Sequence, residues 1–431
     1  MGELVALLNG VVTGVVEQDR KGNLSFSYRD GWRDNPEAYP LSLSMPLARR
    51  SHPDAVVRPF LEGLLPDNQR VLERWGRRFQ VSPRNPFALL TYMGEDCAGA
   101  VQFVEPSRLD SVTNSPGSVD WLTEEQVGEL LRDLAERHGT GRFTSEEGQF
   151  SLAGAQPKTA LHFDGRDWGI PRGRMPSTHI LKPPAQPQLD GLEVNEHFCL
   201  NLAASLDIPA ARSQVRRFAG QPTIVVQRYD RAVAKGERVV RLHQEDACQA
   251  LGVTPLRRYE NEGGPAASDI VSLLLWESTD PASDVGTFVD AMILNWAILG
   301  TDAHAKNYSL MLQSHSVRLA PLYDLLSALP YDREIPYRRA KLAMRVDREY
   351  LAWKLRRRHW EGFAARCDLD PHPLIQRAVE LLAAIPEAAQ RTAALLLEEG
   401  LPDERVFQLE ERVTTHSQEC LALVGNPQGA A

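Results

Sequence analysis

One segment, NWAILGTDAHAKNYSLM at residues 295–311, restricts the possible folds most severely. It begins as an apolar run suited to a buried helix. It then presents Asp302, His304, Lys306 and Asn307 in close succession before turning apolar again. Polar groups placed beside a core are costly unless each finds a partner. These side chains therefore either satisfy one another as a structural plug or face a ligand.

The following residues bear on that choice. A hairpin is predicted over 308–324, with YSLML, the turn QSHS and VRLAPLYD, and it ends at Asp324. It returns the chain so that Asn307 and Asp324 come to one place although they are separated in sequence. An Asp-x-x-x-x-Asn, a hairpin and a further Asp is the arrangement protein kinases use for phosphoryl transfer. Asp302 would accept the proton of an attacking hydroxyl. The Asn307 amide oxygen and the Asp324 carboxylate would hold Mg²⁺, which prefers oxygen ligands and takes few carboxylates. Asp-x-x-x-x-Asn alone also occurs in structural loops, so the upstream order matters.

Upstream, a strand–loop–strand unit over 150–163 precedes a strand ending near Lys182 and then a helix carrying Glu196. That is the order of a kinase small lobe, with a loop over the phosphates, a strand lysine and a helix acid. Lys182 taken singly reads equally as a strand-end lysine. Glu196 either orients it or is a solvated acid in a first helical turn. The loop SLAGAQPKT has one glycine, so a P-loop NTPase is unsupported. Ala153, Gly154 and Ala155 permit close backbone approach to phosphate, while Ser151, Gln156, Lys158 and Thr159 offer donors. The competing reading is a plain hairpin turn.

Composition sets outer bounds. The 431 residues are 43% hydrophobic and 24% charged, as in ordinary globular domains. A net charge of −9 argues against wholesale coating of nucleic acid or anionic membrane. Cys97, Cys199, Cys248, Cys367 and Cys420 form no Cys-x-x-Cys pair, which predicts reduced buried thiols. The N-terminus lacks a signal-peptide pattern, and apolar runs such as IVSLLLW fall short of the roughly 18 residues a bilayer span needs. No membrane association and a cytoplasmic location are expected.

Along the chain, residues 1–108 read as a small α+β domain. Its expected strands are LVALLNGVVTGVVEQ (a hairpin), NLSFSYR and LSLSMPL, followed by a helix broken at Pro66 and restarted from Asp67 as cap. The Ser- and Pro-rich run 105–121 reads as a linker, and the next helix starts at a Thr123 cap and stops at Gly139. A strand-rich lobe spans 118–230, with FSL and TALHF flanking the phosphate loop. A helical lobe, with the 308–324 hairpin as its exception, spans 231–431. RLHQEDACQALG places Arg241, His243, Gln244, Glu245 and Asp246 at a helix start. A buried network bracing the catalytic loop is the preferred reading there, with substrate contact second.

Together FSLAGAQPKTAL, THILKP, NEHFCLNLA, QRYDR, RLHQEDACQALG, NWAILGTDAHAKNYSLM and LAPLYDLLSA resemble the HipA family of bacterial serine/threonine kinases, toxins of type II toxin–antitoxin modules. LSLSMPL, FLEGLLPDN and NPFALLTYMGEDCAGAVQF resemble the domain preceding the kinase core in that family. The resemblance implies an α+β, two-lobed protein-kinase-like fold with an all-helical large lobe, an added N-terminal domain, and ATP and Mg²⁺ as cofactors. It makes Asp302 the catalytic base, Asn307 and Asp324 the metal ligands, and Lys182 a contact of the ATP phosphates. Gln227, Arg228 and Tyr229 become the adenine hinge, and Ser151 an autophosphorylated serine whose added charge would expel its loop. His304 and Lys306 would bind phosphate or pin the loop.

The implied partners are a HipB-like helix-turn-helix antitoxin, operator DNA mainly through that complex, and a protein substrate of the aminoacyl-tRNA synthetase class, such as glutamyl-tRNA synthetase. The basic run KLRRRHW (354–360) could meet DNA phosphate or be a solvated face. Pro157 departs from members carrying an acid there, and Asp-Leu-Leu stands at 324–326 where ordinary kinases have Asp-Phe-Gly. Two alternatives stay open: a small-molecule phosphotransferase, and a non-catalytic antitoxin-binding corepressor.

Overall fold

Asn9 and Gly10 decide how the chain begins. Both have positive φ, 50° and 84°, as the turn of a two-residue hairpin requires. Strands Gly2–Leu8 and Val11–Gln18 therefore pair antiparallel, with Leu8 opposite Val11. In Leu24–Tyr28 burial alternates strictly, so Leu24, Phe26 and Tyr28 enter the core while Ser25 and Ser27 are only partly covered. The same period divides Gly2–Leu8 between two cores. Leu4, Ala6 and Leu8 join one, and Val5 and Leu7 pack with Val104 and Val112 in another.

The computed structural model describes residues 2–136, 151–154, 156–184, 189–234 and 239–425. One compact unit comprises Met1–Ala185, Arg216–Leu256 and Ser309–Val317. It holds a five-stranded sheet in the order Ser51–Pro53, Leu24–Tyr28, Val11–Gln18, Gly2–Leu8, Val101–Val104, covered by helices Asp54–Leu64 and Pro86–Met93. A six-stranded sheet runs Ser213–Phe218, Gln221–Gln227, His179–Lys182, Thr159–Phe163, Trp168–Arg172, Ser118–Leu122. Helix Glu124–Glu136 lays Val127 and Leu131 on Leu161, Trp168, Leu181 and Val225 of that sheet. Thr123 caps its start, as predicted, and the cap is reciprocal. The Gln126 N–H donates to Thr123 Oγ1, and the Thr123 N–H to Gln126 Oε1. Gly139, its expected stop, lies outside the described residues.

The other unit comprises Gln186–Val215, Arg257–Tyr308 and Arg318–Ala431. Its helices are Leu192–Ser205, Ala267–Glu277, Pro281–Ala297, Arg357–Arg366, Pro371–Glu398 and Asp403–Gly425. Trp296 and Trp360 are fully buried in it, their rings 5.7 Å apart. Among the described residues no helix is long and apolar enough to cross a membrane.

The structure corrects several sequence expectations. LSLSMPL is a series of turns with a single Ser42–Met45 bridge, because the Tyr28 hydroxyl takes up its backbone by donating to the Met45 carbonyl and accepting from the Leu41 N–H. Asn68, not Asp67, caps the restarted helix. The supposed linker contains a strand, Ser118–Leu122, whose backbone pairs with Trp168–Arg172 despite exposed side chains. FSL is not a strand where it is described, since the Ser151 N–H donates to Asp96 instead. His243–Asp246 is a strand paired with Ser309–Gln313, and only its last residue caps a helix. The helical unit is not all helix: it carries a hairpin of its own, Lys341–Val346 with Glu349–Leu351, while strand Ser309–Gln313 groups with the first unit.

Candidate active site

Helix Pro281–Ala297 ends earlier than the Thr301 break the sequence suggests. Leu299 turns left-handed at φ 54°, and Gly300 closes the turn by donating its N–H to Asn295 O at 2.6 Å. A Cβ on Gly300 would lie 2.2 Å from Asn295 Oδ1, so any other residue must displace the Asn295 side chain from its bonds to Ala291 O and the Tyr308 hydroxyl. The chain thereby leaves the buried helix abruptly. Asp302 reaches the surface, and His304, Ala305 and Lys306 return to the interior.

The loop holds itself. The Asn307 side chain donates from Nδ2 to the Asp302 carbonyl at 2.8 Å, and the His304 N–H donates to the same oxygen. With Nδ2 committed, Oδ1 is the acceptor the amide can offer a cation. The next strand starts at Ser309, immediately after Tyr308, whose buried hydroxyl accepts from Asn295 Nδ2.

Asp324 comes to the same neighbourhood. The Tyr323 hydroxyl donates to the Lys306 carbonyl at 2.6 Å, and the Ala328 N–H donates to the Leu299 carbonyl. Asp324 has φ 58°, the left-handed region that costs an ordinary L-residue energy and that Asp tolerates better than most. Held strain of this kind gathers at functional positions. The structure therefore brings the Asp302–Asn307 loop and the Asp324 turn together within the helical unit. An amide oxygen and a carboxylate are a donor set suited to Mg²⁺. Among the described residues no group of three or more His, Cys, Asp and Glu side chains forms a metal cage.

Sequence reasoning missed Tyr259. Its hydroxyl donates to Asp302 Oδ1 at 2.5 Å, and its ring meets His304 edge-on with centroids 4.8 Å apart. Burial, then the hydrogen bond and charge of Asp302, push this phenol up to about 12. Nothing in RRYENEGG signals the contact, which joins residues 43 apart.

Apart from Glu196, the other residues predicted for nucleotide binding lie in the first unit. Lys182 is buried at a strand end, opposite Ile224. Ser151 is fully buried, with its hydroxyl donating to Leu64 O at 2.9 Å and its N–H to Asp96 O. Gly154 takes φ 104°, and its carbonyl accepts from the Asp67 N–H. Lys158 Nζ donates to Ala153 O across the loop at 2.9 Å, and Gln156 is half-buried. Ala155 lies outside the described residues.

Gln227 is exposed, and Tyr229 donates its hydroxyl to Gln244 Oε1. The Arg228 side chain is committed to a buried ionic network. It bonds Asp230 through Nε and Nη2 at 2.9 and 2.7 Å, and Nη2 also reaches Cys97 O. Asp96 lies at the centre, 3.1 Å from both Arg231 and Arg241, and accepts from Ser177 Oγ. Burial opposes ionisation of Asp96, but Arg231, Arg241 and Arg228 hold its carboxyl below the usual range. Gly99 N–H donates to Asp230, just beyond strand Gln221–Gln227 of the six-stranded sheet, and His243 Nε2, on the strand paired with Ser309–Gln313, meets Leu41 O, so both tie the N-terminal sheet domain to the rest of the unit. The polar run His243–Asp246 thus braces two parts of the same unit. Glu196, in the helical unit, is buried.

Comparison with known proteins follows the same outline. Residues 150–391 match the HipA-like C-terminal domain and residues 4–104 the HipA N-terminal domain. The chain is 36% identical to Y4mE of Sinorhizobium fredii, which carries the name of a kinase, over 89% of this chain and 90% of that one. It is 28% identical to the serine/threonine-protein kinase toxin HipA of Shewanella oneidensis, over 86% of this chain and 84% of that one. The solved structure of a Shewanella oneidensis HipA, in complex with HipB and operator DNA, superposes with a TM-score of 0.82. That match covers 98% of each chain at 24% identity. The chain belongs to the HipA family of serine/threonine-protein kinases, with the α+β, kinase-like fold of that family.

Proposed function

We propose that this chain transfers the γ-phosphoryl group of ATP to a serine hydroxyl of a protein, as the toxin of a toxin–antitoxin module. The observation that carries this reading is the loop at 302–307, which leaves a buried helix to expose Asp302 and is tied to the strained Asp324 turn. Asp302 takes the proton of the attacking hydroxyl. Asn307 Oδ1 and Asp324 would hold Mg²⁺, which when bound neutralises charge on the phosphates. Lys182, with the backbone and polar groups of the loop Ser151–Lys158, serves the ATP phosphates, while His304 and Lys306 shape the loop beneath Asp302. Gln227 and Tyr229 are proposed for the adenine side. Arg228 supports that segment through its ion pairs rather than by touching nucleotide.

The division into an N-terminal domain at 1–108, a small lobe at 118–230 and a catalytic lobe at 231–431 belongs to the same reading. So do a HipB-like antitoxin partner, operator DNA engaged through it, a cytoplasmic setting and an aminoacyl-tRNA synthetase as substrate class. Ser151 is the proposed site of self-inhibition. Its hydroxyl is fully buried against Leu64, so phosphorylation requires the loop to leave its seat. The dianion then cannot return beside an accepting carbonyl.

The test is induced expression in a bacterial host. Wild type should arrest growth, Asp302→Asn should not, and a co-expressed HipB-like antitoxin should relieve the arrest. Arrest by Asp302→Asn equal to wild type would instead favour the non-catalytic reading.

A further inference from the structure

Asp302 is exposed, and an exposed carboxylate samples several rotamers. A base that must meet a hydroxyl in one geometry loses rate in all the others. In this chain a fixed post removes that freedom. The Arg258 carbonyl accepts from the Ala305 N–H, and the Tyr259 carbonyl accepts from the N–H groups of Glu262 and Gly264. A Cβ on Gly264 would lie 1.8 Å from the Arg257 carbonyl, so the turn closes only around glycine. Glu260 is anchored by Arg345, through its backbone N–H at 2.8 Å and its Nε at 2.6 Å. The Arg258 guanidinium lies 5.0 Å over the Tyr259 ring, with His304 against the ring edge. The phenol has little room to swing.

We infer that Tyr259 is a positioning residue for phosphoryl transfer: by donating to Asp302 Oδ1 it fixes the carboxylate and leaves Oδ2 to take the substrate proton. This rests on the proposal that Asp302 is the base. In the step, the serine oxygen bonds to the γ-phosphorus and the bond to the β-phosphate oxygen breaks, releasing ADP. The serine proton passes to Asp302 Oδ2. Throughout, Tyr259 keeps its own proton, and burial next to a carboxylate favours that neutral form.

The experiment compares wild type, Tyr259→Phe, Asp302→Asn and the double variant as full chains with ATP and Mg²⁺. It reads phosphate incorporated into the chain in a single turnover over a range of ATP concentrations. Tyr259→Phe should lower the rate at saturating ATP roughly 10-fold to 100-fold without changing the half-saturating ATP concentration. In the Asp302→Asn background the same substitution should add less than about twofold, since positioning a side chain that can no longer take the proton gains nothing. Independently of activity, carbon-13 labelling of tyrosine should show that the resonance missing from Tyr259→Phe titrates near 12 in wild type and lower in Asp302→Asn, where burial alone still raises it.

A wild-type rate for Tyr259→Phe overturns the inference. A faster rate overturns it too, because the hydroxyl would then be blocking the base. So does an equal loss in both backgrounds, which would mark a structural role. If Asp302→Asn keeps the wild-type rate, the proposed function fails first and this inference with it. If Asp302→Asn is slow while Tyr259→Phe is not, only the inference fails.

Discussion

At the scale of single residues, the site depends on conformations few side chains accept. Asp324 sits at φ 58°, which Asn tolerates as well as Asp does. Asp324→Asn should therefore fold normally, with a melting temperature within a degree or two of wild type. Its loss should appear as a need for much more Mg²⁺ in ATP turnover, measured by titrating the cation. Gly300→Ala should behave oppositely. Its Cβ would strike Asn295 Oδ1 at 2.2 Å, so the Asn295 side chain or the loop must shift, at a cost of about 1–3 kcal/mol in stability by thermal melting, with activity lost as well. The roles proposed for Asp302, Asn307 and Asp324 rest on residue type and order, which the sequence carries by itself. Tyr259 was not, since a hydrogen bond between residues far apart in the chain leaves no local pattern. Nor was the commitment of Arg228 to Asp230 and Asp96 visible, because ArgTyrAspArg reads equally as a hinge and as an ion network.

At the scale of elements, the buried ions and histidines of the first unit govern its response to acid. His243 and His179 are drawn down to about 4, chiefly by burial. His243 is held neutral, Nε2 against the Leu41 carbonyl and Nδ1 accepting from the Ala100 N–H. Below the ordinary value of 6.5 the unfolded chain gains protons that the folded state refuses, so stability falls as pH drops from 6.5 toward 4. Asp96 and Asp230, both depressed, keep their contribution above the ordinary value of 3.8 and lose it only as pH falls below that. Melting temperature against pH should therefore decline first in the histidine window, and His243→Gln should flatten that decline. Asp96→Asn should cost about 3–5 kcal/mol in denaturant unfolding, because Arg231 and Arg241 would remain buried without their shared carboxylate. Elements stabilised by such distant partners were the ones the sequence hid. Ser118–Leu122 is exposed and lacks alternation, so only its pairing with Trp168–Arg172 makes it a strand. Gly2–Leu8, buried on both faces, and the Asn9–Gly10 hairpin were plain from hydrophobicity and turn chemistry.

At the scale of the whole molecule, a HipA-family chain carries the proposed base on a loop held by its own hydrogen bonds and a serine sealed against Leu64 of the N-terminal domain. Replacing Ser151 by Ala removes one hydrogen bond to Leu64 O and should cost about 1 kcal/mol, while leaving ATP turnover intact for longer because the chain can no longer silence itself. The most direct measurement is mass spectrometry of the purified chain after incubation with ATP and Mg²⁺, wild type beside Asp302→Asn, each first shown to bind ATP and to start unmodified. The account predicts phosphate on Ser151 of the wild type, with the variant slower by roughly 10²–10⁴, the range for loss of a positioned base. Equal phosphorylation of both proteins, or none on either, would contradict it.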